Sequence, residues 1–242
     1  MTEFAPIDER FNGPPGIGQG GYVSGLLAAG IDGPAEVTLR SPAPLRRVLD
    51  LEHCDDGSVG LLDGETLVAE GRSVDALGLE VPEPVESPAA EGASAQYIGF
   101  GDHMFDTCFV CGPAREDSFR VFAGPVEGRE LVASPWLPWR ELADRSGDVR
   151  PEFVWAVLDC PTYFATCLDG ERPRSMLARL SAELLEPVSA ERRYVVTAWP
   201  ISKQDRKHTA GSAIFTDRGE LVALARALMI ELKPEKSRAE AA

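Results

Sequence analysis

Positive charge is scarce in this chain: 24 Lys and Arg face 39 Asp and Glu, leaving a formal net charge of -15 over 242 residues. Nucleic acids and anionic membrane surfaces need a basic face to bind against, so neither is expected as the main partner. Long apolar runs are also missing. Nothing approaches the roughly 20 residues of a membrane-spanning helix. The start, Met1-Thr-Glu-Phe-Ala, has neither a basic flank nor an apolar signal core, so the chain reads as cytoplasmic. Cysteine is sparse and odd in number (Cys54, Cys108, Cys111, Cys160, Cys167), without the density of a secreted disulfide scaffold, and reduced thiols are the expectation. The phosphate-binding loop GxxxxGK[ST], a Rossmann glycine turn after a strand, HExxH and GxSxG are all absent. Nucleotide hydrolysis, dehydrogenation, metalloprotease and serine-hydrolase chemistry therefore lack support.

What is present is enough apolar material, 44% of residues, to bury a sizeable core in one large domain or two small ones. Residues 82–95 combine proline, acid and small residues without apolar periodicity and read as a linker. They separate an N-terminal unit, 1–81, from a C-terminal unit, 96–235, and the charged, alanine-rich tail 236–242 is expected to fray.

Both units repeat one pattern. In the first, a helix over about Gly20 to Ala29 precedes strands near 36–40, 48–53, 58–62 and 66–74. In the second, a helix over about Pro151 to Cys167 precedes strands near 176–185, 194–199, 209–215 and 221–232. Each unit closes with a hairpin whose tip, Asp63-Gly64 or Arg218-Gly219, supplies the residue that tight turns need. The run 221–232 could be helix by period alone, but the preceding turn and its β-rich neighbours favour strand. An internal structural repeat follows, an α+β fold made of two helix-plus-antiparallel-sheet units.

Within the second helix, Phe153-Val-Trp-Ala-Val-Leu-Asp159-Cys-Pro161 places one carboxylate in an apolar run. Burial of such a group is costly and raises its pKa toward the range useful for base catalysis. A structural alternative is that Asp159 satisfies a backbone disturbed by Pro161. The turn Gly16-Ile-Gly-Gln19-Gly20-Gly21 opens the first helix.

These blocks resemble the hotdog fold of acyl-CoA thioesterases, and the duplication resembles a double hotdog packed as a pseudo-dimer. Cys108-Phe-Val-Cys111-Gly112-Pro113 is similar to a Cys-Phe-Gly-Cys-Gly-Pro segment in one branch of that superfamily, while Val157-Leu-Asp159-Cys-Pro161 and Arg206-Lys-His-Thr-Ala-Gly-Ser-Ala-Ile-Phe215 resemble its helix and third strand. The resemblance implies a site at the seam between two units, where amides at a helix start polarise a thioester carbonyl and a facing Asp or Glu acts as base or nucleophile.

The two parts fall in different halves here. Gln19-Gly20-Gly21 matches the glycine turn, but Ala28 stands where the family has its acid. Asp159 sits at the acid position of the second half, where Pro151 and Glu152 replace the glycine pair. The implied site therefore has the Gly21 and Tyr22 amides as oxyanion donors, Gln19 as an orienting side chain and Asp159 as base or nucleophile. Thr162 and Thr166, and Arg206 and Lys207 in the main basic cluster, are candidates for gripping an acyl-CoA substrate. Coenzyme A would enter as part of that substrate, with no separate cofactor, and further homo-oligomerisation is an expectation of the family. A binder of acyl-CoA that has lost turnover is the alternative. A hotdog hydratase would carry an Asp and His pair that this sequence lacks. Cys108 and Cys111 form a lone CxxC with no second pair and only His103 nearby at zinc spacing, short of the four ligands a zinc site needs, so no metal site is expected and the sulfurs read as turn packing.

Overall fold

The computed structural model describes residues 2–233; the expected tail 236–242 and the last two residues of the C-terminal unit lie outside the described residues. In chain order the elements are β1 (Thr2–Phe4), α1 (Gly20–Ala28), β2 (Ala35–Leu39), β3 (Leu49–His53), β4 (Val59–Asp63) and β5 (Thr66–Ser73), then α2 (Ser87–Ser94), β6 (Gly124–Pro125), β7 (Val132–Trp136), α3 (Pro151–Ala165), β8 (Ser175–Leu184), β9 (Tyr194–Gln204), β10 (Lys207–Thr216) and β11 (Leu221–Glu231).

All strands join one antiparallel sheet in the order β1-β3-β4-β5-β2-β8-β11-β10-β9-β7-β6. Both sequence repeats are visible in that order, running outward from the β2–β8 seam. There Val37 pairs with Leu180 and Ala35 with Ala182, all four buried. Glu36 braces the same seam from its other side, where its carboxylate meets Arg72 at 2.7 Å and Ser181 Oγ at 3.0 Å. Those hydrogen bonds hold the Glu36 pKa down against the effect of burial, which pushes it up.

The sheet curves around α1 and α3, which pack directly on each other. Gly21 lies against Trp155 and Asp159, and Gly25 lies against Glu152, so the two helices run antiparallel. A Cβ on Gly25 would stand 2.6 Å from the Glu152 Cα, and one on Gly21 the same distance from the Trp155 carbonyl oxygen. Glycine at these two positions sets the helix separation. Around them Val23, Leu27, Phe153, Val157 and Leu158 form a core with Leu49, Leu61, Leu180 and Ile214 of the sheet.

The stretch expected to be a linker is more ordered than its composition suggests. Residues 87–94 form α2, which buries Ala90 and Ala93 against the outer face of the C-terminal strands, together with Leu77, Val85, Ala133, Val195 and Phe215. Its packing surface is made of small residues: a Cβ on Gly124 would collide with the Ala93 carbonyl, so the helix can seat only on a glycine. Strands β1, β6 and β7 also escape sequence detection, being short or, in β7, interrupted by Pro135. Among the described residues, no helix is long and apolar enough to cross a membrane.

Candidate functional site

The site begins with a polar side chain at an unusual helix cap. Gln19 is the N-cap of α1, and its Oε1 accepts from the Tyr22 N–H at 2.6 Å, satisfying one of the orphan amides of the first turn. That bond fixes which way the amide faces. Its Nε2 then donates to Asp159 Oδ2 at 2.7 Å and lies 3.3 Å from the Ala156 carbonyl. The Gly21 N–H donates to the same Oδ2 at 2.9 Å. A residue from each repeat thus meets across the α1–α3 contact, and the bonds of Asp159 go to the other repeat rather than to the backbone around Pro161.

Asp159 is only 5% exposed. Burial lifts its pKa from 3.8 to about 7; the Gly21 amide pulls the other way, and negative charge at Cys108 adds to the rise. A folded-state pKa above the unfolded value means the fold favours the protonated acid. Its stabilising contribution is complete below pH 3.8 and is lost as pH climbs through about 7. Replacing Asp159 by Asn removes that loss. The stability of Asp159→Asn relative to the native chain should rise by about 3 kcal/mol between pH 5 and pH 8. Urea unfolding at the two pH values measures it, and an unchanged difference would show that the acid has an ordinary pKa.

A cavity of about 370 Å³ opens beside this pair. Gln19, Gly20 and Val23 of the first repeat, Leu39 to Ala43, and Asp159, Tyr163 and Leu177 of the second contribute to a largely apolar wall. Asp159 Oδ1 accepts no hydrogen bond among the described residues and is the oxygen free to face the cavity. The Gly20 N–H, at the first position of α1, likewise has no partner among them, and Gly20 lines the cavity.

The expected oxyanion donors need correction. The Gly21 amide is taken by Asp159 and the Tyr22 amide by Gln19, so neither is free; the unpaired amide is one residue earlier, at Gly20. Thr162 and Thr166 are also relocated. Their hydroxyls bond the carbonyls of Asp159 (2.6 Å) and Tyr163 (2.7 Å), a helix's own backbone, and neither lines the cavity. Arg206 sits at the β9–β10 hairpin tip with its guanidinium on the Glu231 carbonyl, and Lys207 starts β10; both are exposed and outside the cavity wall.

Three further polar residues line the cavity. Arg40 stands at the cavity with its guanidinium on Glu70, and His103 Nε2 and Ser175 Oγ are buried at the wall without hydrogen-bond partners. Burial lowers the His103 pKa. At the pseudo-equivalent position of the other repeat stand Ala28, without a carboxylate, and Pro151, without an N–H. The CxxC turn also proves less isolated than its sequence suggested. Cys160, next to Asp159, brings a third sulfur to Cys108 and Cys111. The Cys111 and Cys160 thiols and the amides around Cys111 hold the Cys108 thiol pKa low, while burial opposes them.

No family profile matches this sequence, and no curated protein matches it. Among solved structures, the tesB protein of Mycobacterium avium subsp. paratuberculosis superposes with a TM-score of 0.62 at 13% identity, covering 96% of this chain and 92% of that one. The E. coli PaaI protein, from the phenylacetic acid degradation operon, matches at 11% identity with a TM-score of 0.40, over 43% of this chain and 75% of its own. The likeness to the first, spanning both repeats, shows the fold. It is a double hotdog, as the resemblance implied.

Proposed function

We propose that this protein hydrolyses an acyl-CoA thioester at the single composite site between its repeats. The observation that carries the reading is the buried carboxylate Asp159, held by Gln19 and Gly21 of the other repeat at the wall of an apolar cavity. A base with a pKa of about 7 is half ionised at neutral pH, which suits proton transfer in both directions.

In this reading the acyl chain occupies the apolar cavity and the thioester carbonyl lies near the start of α1. Asp159 Oδ1 takes a proton from a water molecule as the water oxygen attacks the carbonyl carbon. Negative charge grows on the carbonyl oxygen, where the Gly20 N–H and the positive end of α1 stabilise it. When the tetrahedral species collapses, the carbon–sulfur bond breaks and the proton held by Asp159 passes to the departing thiolate. The products are a carboxylic acid and free coenzyme A. Gln19 keeps the carboxylate oriented through both transfers, and Arg40 at the rim is placed to meet a coenzyme A phosphate.

A panel of acyl-CoAs of increasing chain length, assayed for release of free thiol, tests the proposal. Turnover should be measurable for at least one apolar acyl group. Saturable binding of acyl-CoA with no turnover across the panel would instead identify a binder that kept the fold.

A further inference from the structure

Three sulfurs meet beside the proposed acid. The Sγ atoms of Cys108, Cys111 and Cys160 all lie within 4.8 Å of one another, and those of Cys108 and Cys160 are 3.8 Å apart. A tetrahedral ion with metal–sulfur bonds of about 2.3 Å separates its ligand sulfurs by about 3.8 Å. A disulfide would need about 2.05 Å, and all the cysteines are free thiols.

The turn bearing the first two sulfurs is held by backbone hydrogen bonds and close packing. The Gly112 N–H closes it on the Cys108 carbonyl at 2.8 Å, and a Cβ on Gly112 would stand 2.4 to 2.6 Å from the backbone of Asp106 and Cys108, so only glycine fits. Neighbouring chain braces it on both sides. Phe109 N–H donates to Asn12 O at 3.0 Å, Phe119 N–H to Phe109 O at 2.7 Å, and Val121 N–H to Val110 O at 3.0 Å. The third sulfur comes from α3, an equally fixed element. Such preorganisation is what a metal site requires and what packing of small thiols does not.

Polar groups suited to an outer shell are also in place. Gln19 Nε2 lies 3.5 Å from the Cys160 sulfur, as a donor to a thiolate would. His103 accepts the Phe105 N–H at Nδ1 (2.9 Å), which leaves its buried Nε2 unpartnered on the same cavity wall as all three cysteines.

We propose that Cys108, Cys111 and Cys160 bind a soft divalent ion of the zinc class, with its fourth position toward the cavity. Binding displaces the thiol protons to solvent and joins the ion to three thiolates, with no change of oxidation state. The ion would staple the 105–112 turn to α3 beside Asp159. This site stands on its own sulfurs and does not depend on thioester hydrolysis.

Titration of the reduced, metal-free full chain with Co2+, followed by Zn2+, tests the site. One equivalent of Co2+ should give the sulfur-to-cobalt charge-transfer band and the intense visible absorption of a tetrahedral thiolate site. Zn2+ should displace it and raise the unfolding temperature. Cys160→Ser, in a residue partly open to the cavity and so the variant most apt to fold, should lose the charge-transfer band's strength and weaken Co2+ binding at least tenfold; Cys54→Ser, at an exposed thiol elsewhere, should change neither. A band that is absent from the reduced protein, or survives unaltered in Cys160→Ser, would overturn the proposal. So would a Cys108–Cys160 disulfide found by peptide mapping of protein purified without reductant.

Discussion

Asp159→Asn is expected to lower kcat by about 10²–10⁴-fold on the best acyl-CoA of the panel, with KM changed by no more than a few-fold. Asn keeps the volume of the side chain and an oxygen that can accept from Gly21 and Gln19, the two partners that hold Oδ2. What it loses is the ability to take up and return a proton. A fall in kcat with KM intact is the mark of an interaction used in the transition state. Asp159→Ala should fall as far, and turnover that survives both substitutions would remove Asp159 from the mechanism.

The second large effect is structural, and Gly21→Ala produces it. The new methyl would stand 2.6 Å from both the Asp159 Cβ and the Trp155 carbonyl oxygen, and 3.0 Å from the Ala156 Cα. Two of those neighbours are backbone atoms of a largely buried helix, so α1 and α3 must part. Overpacking of this kind costs about 1–3 kcal/mol, offset only slightly by the better helix propensity of alanine. For a chain of this size each kcal/mol lowers Tm by about 2–4 °C. The same displacement stretches the Gly21 N–H bond to Oδ2, so activity should drop along with stability. Gly92→Ala supplies the control: it lies in α2, and its Cβ meets nothing within 4 Å, so Tm should hold or rise. Equal Tm values for Gly21→Ala and the native chain, measured by calorimetry, would show that the helices do not meet at glycine.

Much of the fold is legible in the sequence because its signals are local. Each repeat carries a helix start, alternating strands and a glycine hairpin tip, and Gly64 and Gly219 do adopt positive φ. The helix α2 within 82–95 was not legible, because the residues it buries, Ala90 and Ala93, are too small to give a hydrophobic period. The site divides in the same way. A lone acid in an apolar helix and a glycine turn lacking one are visible as residue types, and their meeting followed from the repeat. Which amides remain free was not, since that depends on Gln19 turning its side chain back onto the Tyr22 N–H and on Asp159 reaching Gly21 across 138 positions of chain. The thiol cluster was hidden for the same reason: Cys160 joins Cys108 only when α3 crosses the loop, 52 residues away.

In the proposed mechanism a buried acid of one repeat, shifted by its surroundings, works as the base against the helix start of the other. The pH dependence of kcat/KM for the native chain measures this most directly. The rate should fall tenfold per pH unit below about 7 and level off above it, following ionisation of Asp159. A profile flat from pH 5 to pH 8 would contradict it.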